Sequence, residues 1–151
     1  MIKKLSMQQT SIAKEVLIIQ KQAYKKEAEW LEVKEFPPLT QTVHDLIASD
    51  DTFWGYYKKG LLVGVISIED HRNHIQISRV VVHPDYFGRR IGSQLMEFII
   101  DRYSEKKILV TTGKKNEPAL KLYKKYSFSI EKEWDVEKEL TLVQLVRQCV
   151  N

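Results

Sequence analysis

Cysteine is nearly absent: Cys149 is the single one in 151 residues, so no internal disulfide framework braces the fold. That usage fits a reducing compartment, and a cytoplasmic protein is the expectation. No run of about 18 apolar residues occurs, which excludes a helical membrane span. The opening residues, Met1 to Ser6, lack the long apolar segment of a secretory signal. Charge of one sign is also missing, because 24 basic residues are spread among 20 acidic ones for a net +4. The lysine pairs Lys58-Lys59, Lys114-Lys115 and Lys124-Lys125 are scattered without an aromatic platform or a basic helix face, so no nucleic-acid partner is expected. Asp70, His71 and His74 offer too few ligands for a metal centre, and none is expected. There is no linker, repeat or low-complexity segment. With 43% hydrophobic and 29% charged residues, residues 1–151 read as one soluble globular domain.

What is present alternates between two periods. Met1 to Leu5 reads as a short strand. Thr10 or Ser11 can cap a helix over roughly 12–30, with Ile12, Val16, Ile19 and Ala23 as its apolar stripe. Phe36-Pro37-Pro38 ends that region, and Thr40 can cap a second helix through about Ser49. Strands follow at Phe53–Tyr57, Leu61–Glu69 and Ile75–Val82, an antiparallel meander. A helix opens at Ile91, with Leu95, Met96, Ile99 and Tyr103 at helical spacing. Lys107–Thr112 is a further strand, and Asn116 caps a helix with Pro118 near its start. Phe128–Trp134 and Leu140–Val150 complete the chain as two strands, although helix remains open for the last. This is an α/β plan with a mixed sheet.

The stretch around Pro84 concentrates chemistry. A β-branched strand stops at Pro84, a turn carries Gly88, Arg89, Arg90 and Gly92, and a helix begins. Unpartnered N–H groups and the helix dipole at such a start attract phosphate. Taken alone, two glycines and two arginines fit an ordinary strand–helix connection at least as well. The turn is no Walker loop, lacking Gly-Lys-Ser/Thr, and its glycine spacing is not that of a dinucleotide fingerprint.

The segment Val82-His83-Pro84-Asp85-Tyr86-Phe87-Gly88-Arg89-Arg90-Ile91-Gly92 resembles the acyl-CoA loop of the GNAT superfamily of N-acetyltransferases. In that family a strand ending Val-x-Pro leads to Arg/Gln-x-x-Gly-x-Gly/Ala. Gly92 matches, whereas Phe87 stands for Arg/Gln and Arg90 for the middle glycine. Asn116 to Phe128 resembles the family's Asn-x-x-Ala-x-x-x-Tyr-x-x-x-Gly-Phe segment through Asn116, Ala119, Tyr123 and Phe128, with Ser127 at the usual glycine. The element order also matches from end to end.

The resemblance implies a single-domain GNAT-like fold, a mixed and mostly antiparallel sheet flanked by helices. It implies acetyl-CoA as co-substrate and a small-molecule or peptide primary amine as acceptor, attacking directly in a ternary complex. Gly88, Arg89, Arg90, Ile91, Gly92 and Ser93 would hold the pyrophosphate. The backbone of Val80, Val81 and Val82 would hold the pantetheine, Asn116 would orient the cofactor arm, and Tyr123 would protonate the leaving sulfur. The amine poses a separate problem, since a lysine-like amine of pKa about 10.4 is neutral in only about 0.04% of molecules at pH 7. The family's glutamate early in the central strand is replaced by Gln76, which leaves Glu69 as the nearest carboxylate to serve as base, ahead of His71 and His74. A non-catalytic acyl-CoA-binding module on the same fold is the alternative. The acceptor's identity and the oligomeric state, a homodimer included, stay open.

Overall fold

The computed structural model describes residues 1–32, 40–137 and 140–149. The elements run β1 (Ile2–Lys4), α1 (Thr10–Leu31), α2 (Val43–Ala48), β2 (Thr52–Lys58), β3 (Leu61–Asp70), β4 (His74–Val82), α3 (Ile91–Arg102), β5 (Lys107–Gly113), α4 (Glu117–Lys125), β6 (Ser129–Glu137) and β7 (Leu140–Arg147). They build a seven-stranded sheet in the order β1-β2-β3-β4-β5-β7-β6. β4 and β5 pair parallel, and the other neighbours pair antiparallel. The element order and the mixed, mostly antiparallel sheet expected from the sequence are both present, and the last segment is strand rather than helix. No helix among the described residues is long and apolar enough to cross a membrane.

Two helix starts differ from expectation. α1 begins at Thr10, about two residues early, where Gln9 N–H bonds Ser6 O and turns the chain. Gln9 is therefore the cap residue, and no side chain closes that end. α2 is capped by Thr42 rather than Thr40, through a reciprocal box in which Thr42 Oγ1 accepts from Asp45 N–H and Asp45 Oδ2 from Thr42 N–H. The expected break at Phe36-Pro37-Pro38 lies outside the described residues.

The sheet separates two apolar layers. On one side Ile66, Ile68, Ile75 and Ile77 pack against Ile91, Leu95, Met96 and Ile99 of α3 and Tyr123 of α4. On the other, Val65 and Val81 pack against Ala13, Val16, Ile19, Ala23 and Leu31 of α1 and Leu46 of α2. A bulge in β4 lets one strand serve both layers. Ser67 pairs with Arg79 and Ile68 with Ile77, so Ser78 is the extra residue. An extra residue inverts the alternation of faces. Before it, Ile75 and Ile77 face α3; after it, Val80 and Val82 do, while Val81 faces α1.

Gly64, opposite Val82 in β3, fixes how closely α3 approaches. A Cβ there would lie 2.8 Å from Ile91 Cγ2 and 3.3 Å from Leu95 Cδ1. Gly64→Ala must therefore push the first residue of α3 outward, and overpacking of this kind costs about 1–3 kcal/mol. Urea denaturation of the variant should show a lowered midpoint with an unchanged slope.

Candidate active site

β4 and β5 pair only from His74↔Lys107 to Ile77↔Val110. β5 then stays with β7 as far as Gly113↔Leu142, while β4 continues to Val82 with β3. The strands thus part just where the bulge lies, and the β5-facing edge of Ser78 to Val82 carries no ladder partner among the described residues. Two cavities open into this parting.

The first, of about 440 Å³, is lined by Val80, Val81 and Val82, by Tyr86, Phe87 and Gly88 of the turn, and by Arg90, Ile91, Gly92 and Ser93 at the start of α3. Ala119, Leu122 and Tyr123 of α4 close it. No side chain caps α3, and its first bonded amide beyond the turn is Gln94 N–H to Arg90 O. Among the described residues the N–H groups of Ile91, Gly92 and Ser93 therefore have no partner, and all three residues line the cavity, which is the electrostatic requirement for an anion. Gly88 has φ +77° and Arg90 φ +62°, so the turn uses the left-handed region twice. Arg90 does so with a side chain where the family pattern has glycine.

Nine of the ten residues expected at the cofactor line this cavity: Val80, Val81, Val82, Gly88, Arg90, Ile91, Gly92, Ser93 and, at its inner end, Asn116. Arg89 does not, since its guanidinium lies over the Tyr86 ring, 5.1 Å from the centroid. Two contributors were missed from the sequence. Lys125 Nζ reaches Ser93 Oγ at 3.4 Å and brings a cation to the helix start; its neighbour Lys124 had made the pair look like plain surface. Trp30 faces Phe87 across the mouth with ring centroids 6.0 Å apart, so the residue that departs from the family pattern has an aromatic partner.

The second cavity, of about 310 Å³, lies on the other side of the parting, between Ile77–Val80, Val110–Gly113, Val136, Leu140 and Leu142. Both cavities share Tyr24, Glu27, Val80, Asn116 and Tyr123, which therefore form their junction. Tyr123 is 6% exposed, and burial, with smaller contributions from Glu27 and Tyr24, pushes its phenol far above the usual tyrosine range. It stays protonated and able to donate. Asn116 Oδ1 caps α4 by accepting from Ala119 N–H, while Asn116 Nδ2–H donates to Glu27 Oε1 at 3.1 Å and to Thr112 Oγ1 at 3.3 Å. Tyr24 is raised to about 12, chiefly by burial, with Arg79 opposing and Glu27 adding to the shift.

Glu69 does not join this group. It pairs with Gln76, four residues or roughly 13 Å along β4 from Val80, is about half exposed, and faces His71 Nε2 at 3.5 Å. It lines neither cavity, because the hairpin that carries it lies at the paired end of β4. His71 stacks on His74 in the same hairpin. The carboxylate at the junction is instead Glu27, which the sequence had hidden on the polar side of α1. Its carboxyl is held above the ordinary 4.5, first by burial and against the Asn116 hydrogen bond.

A buried guanidinium fixes α1 above this junction. Arg79, its side chain 7% exposed, donates from Nε to Ser67 Oγ at 2.8 Å and from Nη1 to Gln20 Oε1 at 2.7 Å and Gln41 Oε1 at 3.3 Å. Asp51 Oδ2 lies 3.8 Å from Nη2, and the Phe53 ring lies beneath at 4.9 Å.

With this geometry in place, the comparisons with known proteins agree. The model of the acetyltransferase (GNAT) family matches residues 16–128, and the chain belongs to that family. It is 42% identical over 129 residues to the UPF0157 protein YqkA of Bacillus subtilis (strain 168), covering 85% of this chain and 38% of that protein. The chain thus spans well under half the length of that curated relative. Among solved structures it resembles the ribosomal-protein-S18-alanine N-acetyltransferase of Escherichia coli, with TM-score 0.79, 13% identity and coverage of 100% and 96% of the two chains. It also resembles YncA of Salmonella typhimurium, a putative acetyltransferase solved with its cofactor acetyl-CoA, with TM-score 0.74, 16% identity and coverage of 100% and 94%. At these identities the likeness to solved structures is one of fold.

A carboxyl whose folded pKa exceeds its unfolded value binds its proton more tightly when folded, so ionising it costs stability. For Glu27 that loss sets in as the pH rises from about 4.5 through its raised folded value. Glu27→Gln removes the cost and can keep an amide oxygen for Asn116. Its Tm should exceed that of the wild type at pH 7.5, with the gap closing as the pH falls to 4.5. An equal gap at both pH values in thermal scans would contradict the assignment.

Proposed function

We propose that residues 1–151 act as one N-acetyltransferase domain that moves an acetyl group from acetyl-CoA to a primary amine, by direct attack within a ternary complex. Membership of the GNAT family supports the reaction class, and acetyl-CoA is the cofactor of a structural neighbour. The observation that carries the reading is the first cavity. It joins an uncapped helix start, an unpaired strand edge and a buried phenol in one continuous wall. The diphosphate would take the N–H groups of Ile91 to Ser93, with Gly88, Arg90 and Lys125 around it. Pantetheine amides would complete the unpaired edge of Val80 to Val82, and polarisation of the acyl carbonyl would fall to the same backbone N–H groups. Tyr123 would protonate the departing sulfur.

An acetyl-enzyme route has no support. The chain's one thiol, Cys149, is exposed beyond β7 and lines neither cavity. The same exposed thiol fits a reducing, cytoplasmic setting.

Two variants test the reading. A Cβ on Gly92 meets Leu122 Cδ2 at 3.5 Å, an ordinary contact, so Gly92→Glu should fold while placing a carboxylate at the phosphate seat. Like-charge juxtaposition costs several kcal/mol, or about 100-fold or more in acetyl-CoA Kd; unchanged affinity by calorimetry would refute the seat. Tyr123→Phe should keep Kd within about twofold and lower kcat by about 100-fold, the low end for a general acid, because a thiolate already leaves well. Full turnover in that variant would remove Tyr123 from the chemistry.

A further inference from the structure

We infer that Glu27 is the catalytic base, and that the second cavity takes as acceptor a primary amine carried on an apolar body. The inference rests on the transferase reading above and deepens it.

The argument begins with the junction. An amine and a thioester must meet at one point, and the two cavities meet at Tyr24, Glu27, Val80, Asn116 and Tyr123. Among these, Glu27 is the one carboxylate. Oε1 is held by Asn116 Nδ2–H at 3.1 Å, and Oε2 makes no bond among the described residues. One oxygen is thus fixed, the other has no partner among the described residues, and the residue lines both cavities.

The charged and titratable groups around Glu27 leave it the proton acceptor. Tyr24 on α1 and Tyr123 on α4 are both phenols whose burial holds them protonated. Arg79 of β4 lines the second cavity; its Nε and Nη1 donate to Ser67, Gln20 and Gln41, and Asp51 lies 3.8 Å from Nη2 as its counter-charge. A cationic amine entering the cavity finds Glu27 as its counter-ion, and the one cation among the described residues that line it, Arg79, already faces Asp51. The rest of the wall is mostly apolar, with Ile77, Val110, Val136, Leu140 and Leu142 set against Ser78, Thr111, Thr112 and Gly113. At about 30 Å³ per water-sized unit, 310 Å³ admits roughly ten non-hydrogen atoms.

The step balances as follows. The ammonium gives one proton to Glu27 and its nitrogen attacks the acetyl carbonyl carbon. The C–N bond forms and the C–S bond breaks. Sulfur leaves with the proton of Tyr123, and Tyr123 regains one from the acylated nitrogen. Glu27 then releases its proton to solvent, so that ammonium and acetyl-CoA yield amide, CoA thiol and one H⁺.

The test compares wild type with Glu27→Gln by CoA-thiol release from pH 6 to 10, using n-hexylamine, 2-phenylethylamine and 6-aminohexanoate, with acetyl-CoA binding measured by calorimetry. Glu27→Gln should bind acetyl-CoA within about twofold of wild type. Its kcat/KM for n-hexylamine should fall about 100-fold at pH 7.5. The deficit should shrink at least about tenfold by pH 10, where the amine approaches its own pKa of about 10.4 and loses its proton unaided. 6-Aminohexanoate should react at least about tenfold more slowly than n-hexylamine. A deficit under about threefold, or one independent of pH, overturns Glu27 as base, and equal rates for the two hexyl amines overturn the acceptor class. Wild type that binds acetyl-CoA yet releases no CoA with any amine sinks the transferase reading itself, a result separate from any difference between the two proteins.

Discussion

The extra residue in β4 is the constraint on which the remaining architecture depends. Ser78 breaks the register with β3 at the point where β4 and β5 cease to pair. A regular β4 would keep one face towards α3 throughout and would extend its ladder with β5, closing the sheet. The bulge instead leaves a strand edge without a ladder partner among the described residues and hands Arg79 and Val81 to the α1 side. Exposed backbone polar groups in an apolar cleft demand partners, and an extended amide-bearing ligand can supply them.

Arg79 converts that local irregularity into tertiary placement. Its bonds to Ser67, Gln20 and Gln41 tie β3, α1 and the approach to α2 to one guanidinium. Gln20 and Glu27 are seven residues apart, two helical turns on nearly the same face. Fixing Gln20 against β4 therefore also fixes Glu27 above the junction. Asn116 completes the frame by capping α4 with one atom and holding Glu27 with another.

The departures from the family pattern have a common physical form. Arg90 and Ser127 both stand where the pattern has glycine, and both adopt left-handed backbone, with φ of +62° and +69°. The fold holds these conformations at a cost of about 1 kcal/mol each. At Arg90 the gain is a cation at the helix start. Phe87 replaces a polar residue and meets Trp30, so the cavity mouth is more apolar than the pattern implies.

Element types and order were legible because period-two and period-3.6 patterns, glycine turns and Asn116 as a cap are set by neighbours in the chain. The loop residues were legible for the same reason: Gly88 to Ser93 form one contiguous turn and helix start. Glu27 was not, since among the lysines and glutamates of α1 it looks like one more solvated charge. Nothing within α1 distinguishes it from Glu29. Glu69 seemed close to the central strand because it is close in sequence, but strand direction carries it to the other end. The sequence by itself determined which segments are helix and strand and where a glycine-bearing turn meets an uncapped helix start, since backbone N–H groups and glycines act locally. Only the tertiary structure decided which carboxylate lies where the two cavities meet, because Glu27 and Asn116 lie 89 residues apart and come together through the docking of α1 across the parted strands.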